Sequence, residues 1–262
     1  MDSTHRKTVL VTGGAGGLGK AIATAFLCEG HNVAVCDVDE VRLSQAASDW
    51  SAHGERALVL RTDITDEEAV EDLTKRIRDK FGRLDMLINN AGVMDAFDPV
   101  GTTTKETWDR VIGINLTGAF LTTKAAVALM ESQPHPGGII INIGSVASYK
   151  GLNAGAAYTA SKHGILGLSR NTAAFYGEKG IYSIALLLGG MDDTNIADHV
   201  KKGNFNKDGM ARIGIANPGY VPGQTNIPLA DVAKYCIFFS NPNMAAASNG
   251  AAINVNKNWP AS

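Results

Sequence analysis

Thr8-Val9-Leu10-Val11-Thr12-Gly13-Gly14-Ala15-Gly16-Gly17-Leu18-Gly19 is the stretch on which the reading of this chain turns. Five residues without a charge read as a buried strand. Five glycines in seven positions follow, and Leu18, Ala21, Ile22, Ala25 and Phe26 then recur at helical spacing. Glycine lets the backbone turn sharply and lets a pyrophosphate approach with no Cβ in the way. The helix start beyond it offers free N–H groups and the positive end of its dipole to an anion. Placed between a first strand and a first helix, the turn predicts dinucleotide binding through Gly13, Gly17, Leu18 and Gly19.

The same alternation continues outward. Strands are predicted at Asn32 to Cys36, Ala57 to Leu60, Met86 to Ile88, Gly138 to Ile143, Tyr182 to Leu188 and Ala251 to Val255. Helices are predicted from Asp39 to His53, from Thr65, from Thr103 towards Ser132, from Tyr158 to Tyr176 and from Leu229 to Phe239. Thr65 with Glu68, and Thr103 with Glu106, have the spacing of capping boxes. Strands this apolar are buried on both faces, and strands separated by helices pair in parallel. The expectation is an α/β fold of one domain over residues 1–262, a doubly wound parallel sheet with helices on both faces. Residues 189–228 stand apart: about forty residues, rich in Gly, Asn and Asp, directly after a strand's C-terminal end. Loops of that length are commonly lids over a ligand, and a substrate lid is the reading here.

Composition excludes several classes. The 262 residues are 45% hydrophobic and 19% charged with a net charge of −2, so no polyanion partner is advertised. Cys28, Cys36 and Cys236 are odd in number and form no CxxC, which fits reduced thiols of a cytoplasmic protein. The polar N-terminus lacks the apolar core of a signal peptide, and no unbroken aliphatic run is long enough to cross a bilayer. His5, His31, His53, His135, His163 and His199 show no ligand spacing, and no metal site is expected.

Two further features carry chemistry. Asp37 closes the second strand, where a carboxylate accepts ribose hydroxyls of NAD and repels the 2′-phosphate of NADP. Neither the glycine turn nor Val38 offsets it with a basic group, although Arg42 lies one turn on. Asp37 also suits the cap of the next helix. Tyr158 and Lys162 lie four apart on one helix face, thirteen and more residues after Ser145. A cation beside a phenol favours the phenolate, and bringing a pKa of ~10 towards neutrality takes ~4 kcal/mol. Lys162 and a positively charged nicotinamide are the expected sources. The trio reads as an acid/base that moves a proton on or off an alcohol oxygen.

Thr12-Gly13-xxx-Gly17-x-Gly19, Asn89-Asn90-Ala91-Gly92, Asn115, Ser145 and Tyr158-xxx-Lys162 together resemble the short-chain dehydrogenase/reductase family over residues 7 to about 257. The resemblance implies a Rossmann-like fold, an NAD-dependent oxidoreductase and a homotetramer or dimer paired through its long central helices. It implies that Asp63 and Ile64 meet the adenine, that Asn90, Ala91 and Gly92 line the cofactor, and that Lys162 binds the nicotinamide ribose. Asn115 would hold, by its carbonyl, a water that joins Lys162 to solvent. Leu188 stands where the family has proline and Thr194 falls one position late, which leaves Gly189, Met191 and Thr194 as candidates for the carboxamide. Met94, Phe97, Val146, Tyr149, Leu152, Met191 and Phe205 are the expected walls for a hydrophobic alcohol or ketone, with Lys201 and Lys202 in the lid. The alternatives are a non-redox enzyme of the same fold (isomerase, dehydratase or cyclase) and a non-catalytic nucleotide-binding protein.

Overall fold

Seven strands form one all-parallel sheet in the order β3-β2-β1-β4-β5-β6-β7. They are β1 (Thr8–Thr12), β2 (Asn32–Asp37), β3 (Ala57–Arg61), β4 (Met86–Asn89), β5 (Gly138–Ser145), β6 (Ile181–Leu188) and β7 (Ala252–Val255). The helices are α1 (Gly17–Cys28), α2 (Glu40–Asp49), α3 (Glu67–Phe81), α4 (Lys105–Ile112), α5 (Ala119–Ser132), α6 (Ala156–Tyr176), α7 (Lys207–Ala216), α8 (Leu229–Phe239) and α9 (Pro242–Ala247). The structure is a computed structural model, and it describes residues 6–260 other than 193, 195, 197–202, 204 and 222.

The unbroken apolarity of the strands has the expected cause. Side chains alternate across a strand, and here both faces are covered. Val9, Val11, Val33, Val35, Ile139 and Ile141 join one core, with Ile22 and Phe26 of α1 and Val232 and Phe239 of α8. Leu10, Ala34, Leu87 and Ile140 join the other, with Leu73 and Ile77 of α3 and Val127 and Met130 of α5. Strand order reverses at β1, which pairs with β2 on one side and β4 on the other. A crevice therefore opens beyond the C-terminal ends of β1 and β4, where such sheets bind ligands.

Several local expectations shift. The cap of α3 is Asp66, whose carboxylate accepts from the N–H groups of Glu68 and Ala69, and Thr65 donates its hydroxyl to Asp63 at 2.7 Å instead. The cap of α4 is Thr104, accepting from Thr107 N–H at 3.1 Å, and Thr103 is taken by the carbonyls of Asp98 and Pro99. In both places a neighbouring acceptor claims the predicted threonine, so the cap moves one residue on. Asp39, not Asp37, caps α2, which ends at Asp49 and passes into a 3-10 turn.

The helix predicted towards Ser132 runs unbroken from Lys105, but its middle, Gly113–Gly118, is wound as a π-helix. This 28-residue run is long and apolar enough, by length and composition alone, to cross a membrane. Half of its most apolar window is buried inside the protein, which accounts for its composition. The segment read as an irregular lid contains α7, capped by Asn206, whose Oδ1 accepts from Gly209 N–H at 2.9 Å.

Candidate active site

Six strand ends, those of β1 to β6, deliver the candidate residues to one cleft of about 1230 Å³. The glycine turn follows β1, Asn90-Ala91-Gly92 follows β4, Ser145 ends β5, and Gly189-Gly190-Met191 follows β6.

At the first of these, Gly13 (φ +60°) and Gly17 (φ +49°) occupy the left-handed region that glycine adopts without strain. A Cβ on Gly13 would stand 2.9 Å from the Cα of Ala91. Helix α1 begins without a side-chain cap and without an acidic residue in its first turn, so its N-terminal N–H groups suit an anion. Gly19 differs from the others: it does not line the cleft. A Cβ there would fall 2.2 Å from the Gly13 carbonyl oxygen and 2.6 Å from Asn90 Nδ2, so it lets α1 press against the turn. Asn90 Nδ2 donates to the Thr12 and Gly13 carbonyls (2.9 and 3.2 Å), and Thr12 Oγ1 accepts from Asn90 and Ala91 N–H at 3.0 Å. The two loops form one unit.

Asp37 stands at the cleft beside Val38, Arg42, Asp63 and Ile64. Its Oδ1 accepts from Val38 and Asp39 N–H, and its Oδ2 accepts from Ala15 N–H at 3.3 Å. A carboxylate offers about four acceptor positions. Three hold backbone, which leaves roughly one strong position for a ribose hydroxyl in place of the two that the sequence reading allowed. Arg42 pairs with Asp39 at 3.3 Å.

At the other end, Tyr158 and Ser145 line the same cleft, and the Ser145 side chain favours the ionised form of the phenol. Ser145 Oγ accepts from Ala147 N–H at 3.1 Å, which fixes its rotamer. Lys162 lies one turn beyond Tyr158 with Nζ 5.6 Å from the phenol ring centroid, and it donates to the Ile143 carbonyl at 2.8 Å. All three line the cleft. Asn115 does not. It is 1% exposed, and its side chain clamps the loop after β4: Oδ1 accepts from Val93 N–H, while Nδ2 donates to Val93 O and Ser161 Oγ.

Burial governs the protonation of both groups. Burial pushes the Tyr158 phenol up to about 12, the Ser145 side chain opposing and the nearby Asp95 carboxylate adding to the rise. Burial likewise pushes Lys162 down to about 8. Desolvation dominates the phenol, and the Lys162 ammonium is aimed at the Ile143 carbonyl.

These shifts have consequences for stability. Lys162 is depressed from 10.5, so between about pH 8 and 10.5 the unfolded chain binds the extra proton and stability rises with pH. Tyr158 is raised from 10, so between 10 and about 12 the folded chain binds the extra proton and stability falls. Burial also raises the Cys36 and Cys236 thiols from 9.0 to about 12, so above pH 9 the folded chain keeps two further protons, and denaturation midpoints are expected to peak at about pH 9. Lys162→Met should flatten the rise, and an unaltered rise in that variant would assign it to another group.

Of the expected substrate walls, Met94, Phe97 and Met191 line the cleft, as do Gly189 and Thr194. Val146 is fully buried, and Tyr149, Leu152 and Phe205 do not face the cleft. Lys201 and Lys202 lie outside the described residues. The sequence reading missed Met210 and Ile213 of α7, together with Tyr220 and Trp259. The Trp259 ring lies 4.9 Å from that of Tyr220 (centroid to centroid), and its indole donates to Pro218 O at 3.1 Å. Gly189 accommodates this segment, since a Cβ there would stand 2.9 Å from the Trp259 carbonyl oxygen. No local motif marks these residues; the one signal was the spacing of Met210 and Ile213. Leu188 completes β6, paired with Val255 and packed in the core.

A parallel sheet with a glycine turn at its switch point and a Ser-Tyr-Lys group at the far end of the same cleft defines a nicotinamide-nucleotide-dependent α/β oxidoreductase. The chain matches the short chain dehydrogenase family over residues 7–204, and it belongs to the short-chain dehydrogenase/reductase family. It is 43% identical over 253 residues to the short chain dehydrogenase/reductase dpchG of Colletotrichum higginsianum, covering 97% of this chain and 93% of the relative. It is 30% identical over 255 residues to 3beta-hydroxysteroid dehydrogenase 2 of Eggerthella lenta, covering 97% and 95%. Among solved structures, a variant of actinorhodin polyketide ketoreductase with NADPH aligns with a TM-score of 0.84 and 26% identity over the full length of both chains.

Proposed function

We propose that this protein is an NAD(H)-dependent oxidoreductase of hydrophobic secondary alcohols and ketones, with Tyr158 as general acid/base. The observation that carries the reading is the convergence of Ser145, Tyr158 and Lys162 in one cleft that also holds the glycine turn and Asp37.

Gly13, Gly17 and Leu18, at the start of α1, hold the pyrophosphate. Asp37 takes a ribose hydroxyl with Val38 beside it, and Asp63 and Ile64 flank the adenine. Asn90, Ala91 and Gly92 form the wall along the nucleotide. Lys162 reaches the nicotinamide ribose, and Gly189, Met191 and Thr194 reach the carboxamide. Gly19 and Asn115 act from behind this surface, one by close packing and the other by bracing Val93 and Ser161. Bound NAD(H) supplies the hydride or accepts it, and its oxidised ring adds a positive charge near the phenol. A phenol with a pKa of about 12 is protonated at neutral pH, which suits Tyr158 to give its proton to a carbonyl oxygen held also by Ser145.

NAD is favoured over NADP because Asp37 faces the nucleotide end and Arg42 is engaged by Asp39. The NADPH in the polyketide ketoreductase makes this a choice to be measured. Met94, Phe97, Met191, Met210 and Ile213 give the substrate end an apolar surface, and a relative that bears the name of a hydroxysteroid dehydrogenase agrees with that class. The described part of 189–228, α7 included, serves as the lid over it. One domain, a cytoplasmic location and a dimer or tetramer complete the reading, with the exposed Phe120 of α5 and Phe175 of α6 as interface material. Leu188 belongs both to the core and to the cleft lining, and the Leu188 to Thr194 stretch is the one support for the non-redox alternative.

The test is NADH absorbance during incubation with a panel of cyclic alcohols and ketones. Substrate-dependent change is expected with NAD(H) and much less with NADP(H). Product formation without change in absorbance would overturn the redox reading.

A further inference from the structure

Most helices of the chain with a side-chain cap carry it just ahead of their first residue: Asp39, Asp66, Thr104, Asn206 and Asn241. Helix α6, which bears Tyr158 and Lys162, has Gly155 at that position, no side-chain cap of its own and no acidic residue in its first turn. Its N-terminal N–H groups are instead satisfied from sixty residues away. Asp95, 1% exposed in the loop after β4, accepts from Gly155 N–H through Oδ1 at 3.0 Å and from Tyr158 N–H through Oδ2 at 2.9 Å. The Asp98 carbonyl accepts from Ala156 N–H at 2.9 Å.

We propose that Asp95 is a positioning residue for Tyr158: its buried carboxylate caps α6 from outside the helix and fixes where the phenol hydroxyl stands against Ser145. This rests on Tyr158 being the acid/base. Three features single the contact out. Gly155 leaves room for nothing else, because a Cβ there would meet both carboxylate oxygens at 2.5–2.6 Å. Asp95 Oδ1 also accepts from Phe97 N–H at 3.1 Å and so holds Phe97, a cleft wall, at φ +62°. Such a conformation is costly for an aromatic residue unless the surroundings impose it. The same loop anchors α7, since Asn206 N–H donates to Ala96 O and Asn206 Nδ2 donates to Asp98 Oδ1, both at 2.8 Å. One short loop thereby fixes the start of the catalytic helix, a substrate wall and the lid helix relative to one another.

The charge acts as well as the geometry. The groups that face Tyr158 are Lys162 on α6, Ser145 on β5 and Asp95 on the loop, and the Asp95 carboxylate raises the phenol's pKa. Asp95→Asn keeps the size, removes the charge and sets an N–H2 group against a backbone N–H. The expected result is a kcat lower by ~10- to 100-fold, since small misplacements of a reacting group cost that much. NADH affinity should stay within about threefold, because the residues assigned to the nucleotide lie elsewhere.

A loosened helix alone would lower kcat and the melting temperature but leave the titration of Tyr158 in place. Positioning with charge predicts a lower midpoint. That midpoint is read from the 13Cζ resonance of labelled tyrosine, assigned by its loss in Tyr158→Phe, and it requires no turnover. An unchanged midpoint, or wild-type kcat, in folded Asp95→Asn would overturn the proposal. If Asp95→Asn does not fold, Gly155→Ala displaces the carboxylate without removing it, and wild-type kcat in that variant would equally overturn it. Absence of turnover in the wild type would instead count against the redox reading, and the titration would still decide the role of Asp95.

Discussion

Replacing Tyr158 by Phe is expected to lower kcat by about 10³-fold, within the 10²- to 10⁴-fold range of a positioned proton donor. The substitution removes one oxygen from a ring that is 5% exposed, so the fold should hold and NADH should bind within about twofold of wild type. The loss should fall on kcat and kcat/KM alike, because the proton moves only in the transition state. Ser145 and its bond to Ala147 N–H remain in the variant. A carbonyl oxygen would still find one donor there but no proton source. Steady-state kinetics with the best ketone, and NADH titration followed by fluorescence, check both halves. A variant that turned over at the wild-type rate would remove Tyr158 from the mechanism.

Asp37→Asn is expected to change the ratio of kcat/KM for NAD(H) to that for NADP(H) by about 10²-fold in favour of NADP(H). A carboxylate set against a 2′-phosphate costs several kcal/mol, and the amide removes that repulsion. Part of the change should appear as weaker NAD(H) use. Asp37 also holds Ala15 N–H from the glycine turn, and a neutral amide oxygen holds it less firmly. The outcome is read from both cofactors in both proteins. A wild type that already prefers NADP(H), as the NADPH-bound neighbour admits, would show that Arg42 and not Asp37 decides.

Much of this architecture was legible before any coordinates. A strand buried on both faces has to be apolar throughout, so β1, β2, β4, β5 and β6 could be read from local composition. A glycine turn between β1 and α1 has few other uses. The caps of α3 and α4 were misplaced by one residue because Thr65 and Thr103 are claimed by Asp63, Asp98 and Pro99. That competition depends on how the loops fold back. Helix α7 was hidden because its two glycines weaken the helical signal that Met210 and Ile213 carry.

The sequence by itself determined the alternation of strand and helix, the glycine turn, Asp37 at a strand end and the Tyr158–Lys162 spacing, because each depends on near neighbours in the chain. Tertiary structure alone decided that Asp95 caps a helix sixty residues away, that Trp259 meets Tyr220 over the cleft, and that the phenol's pKa rises. Those outcomes depend on which groups are brought together and how much water is excluded between them, and neither is encoded in any one segment.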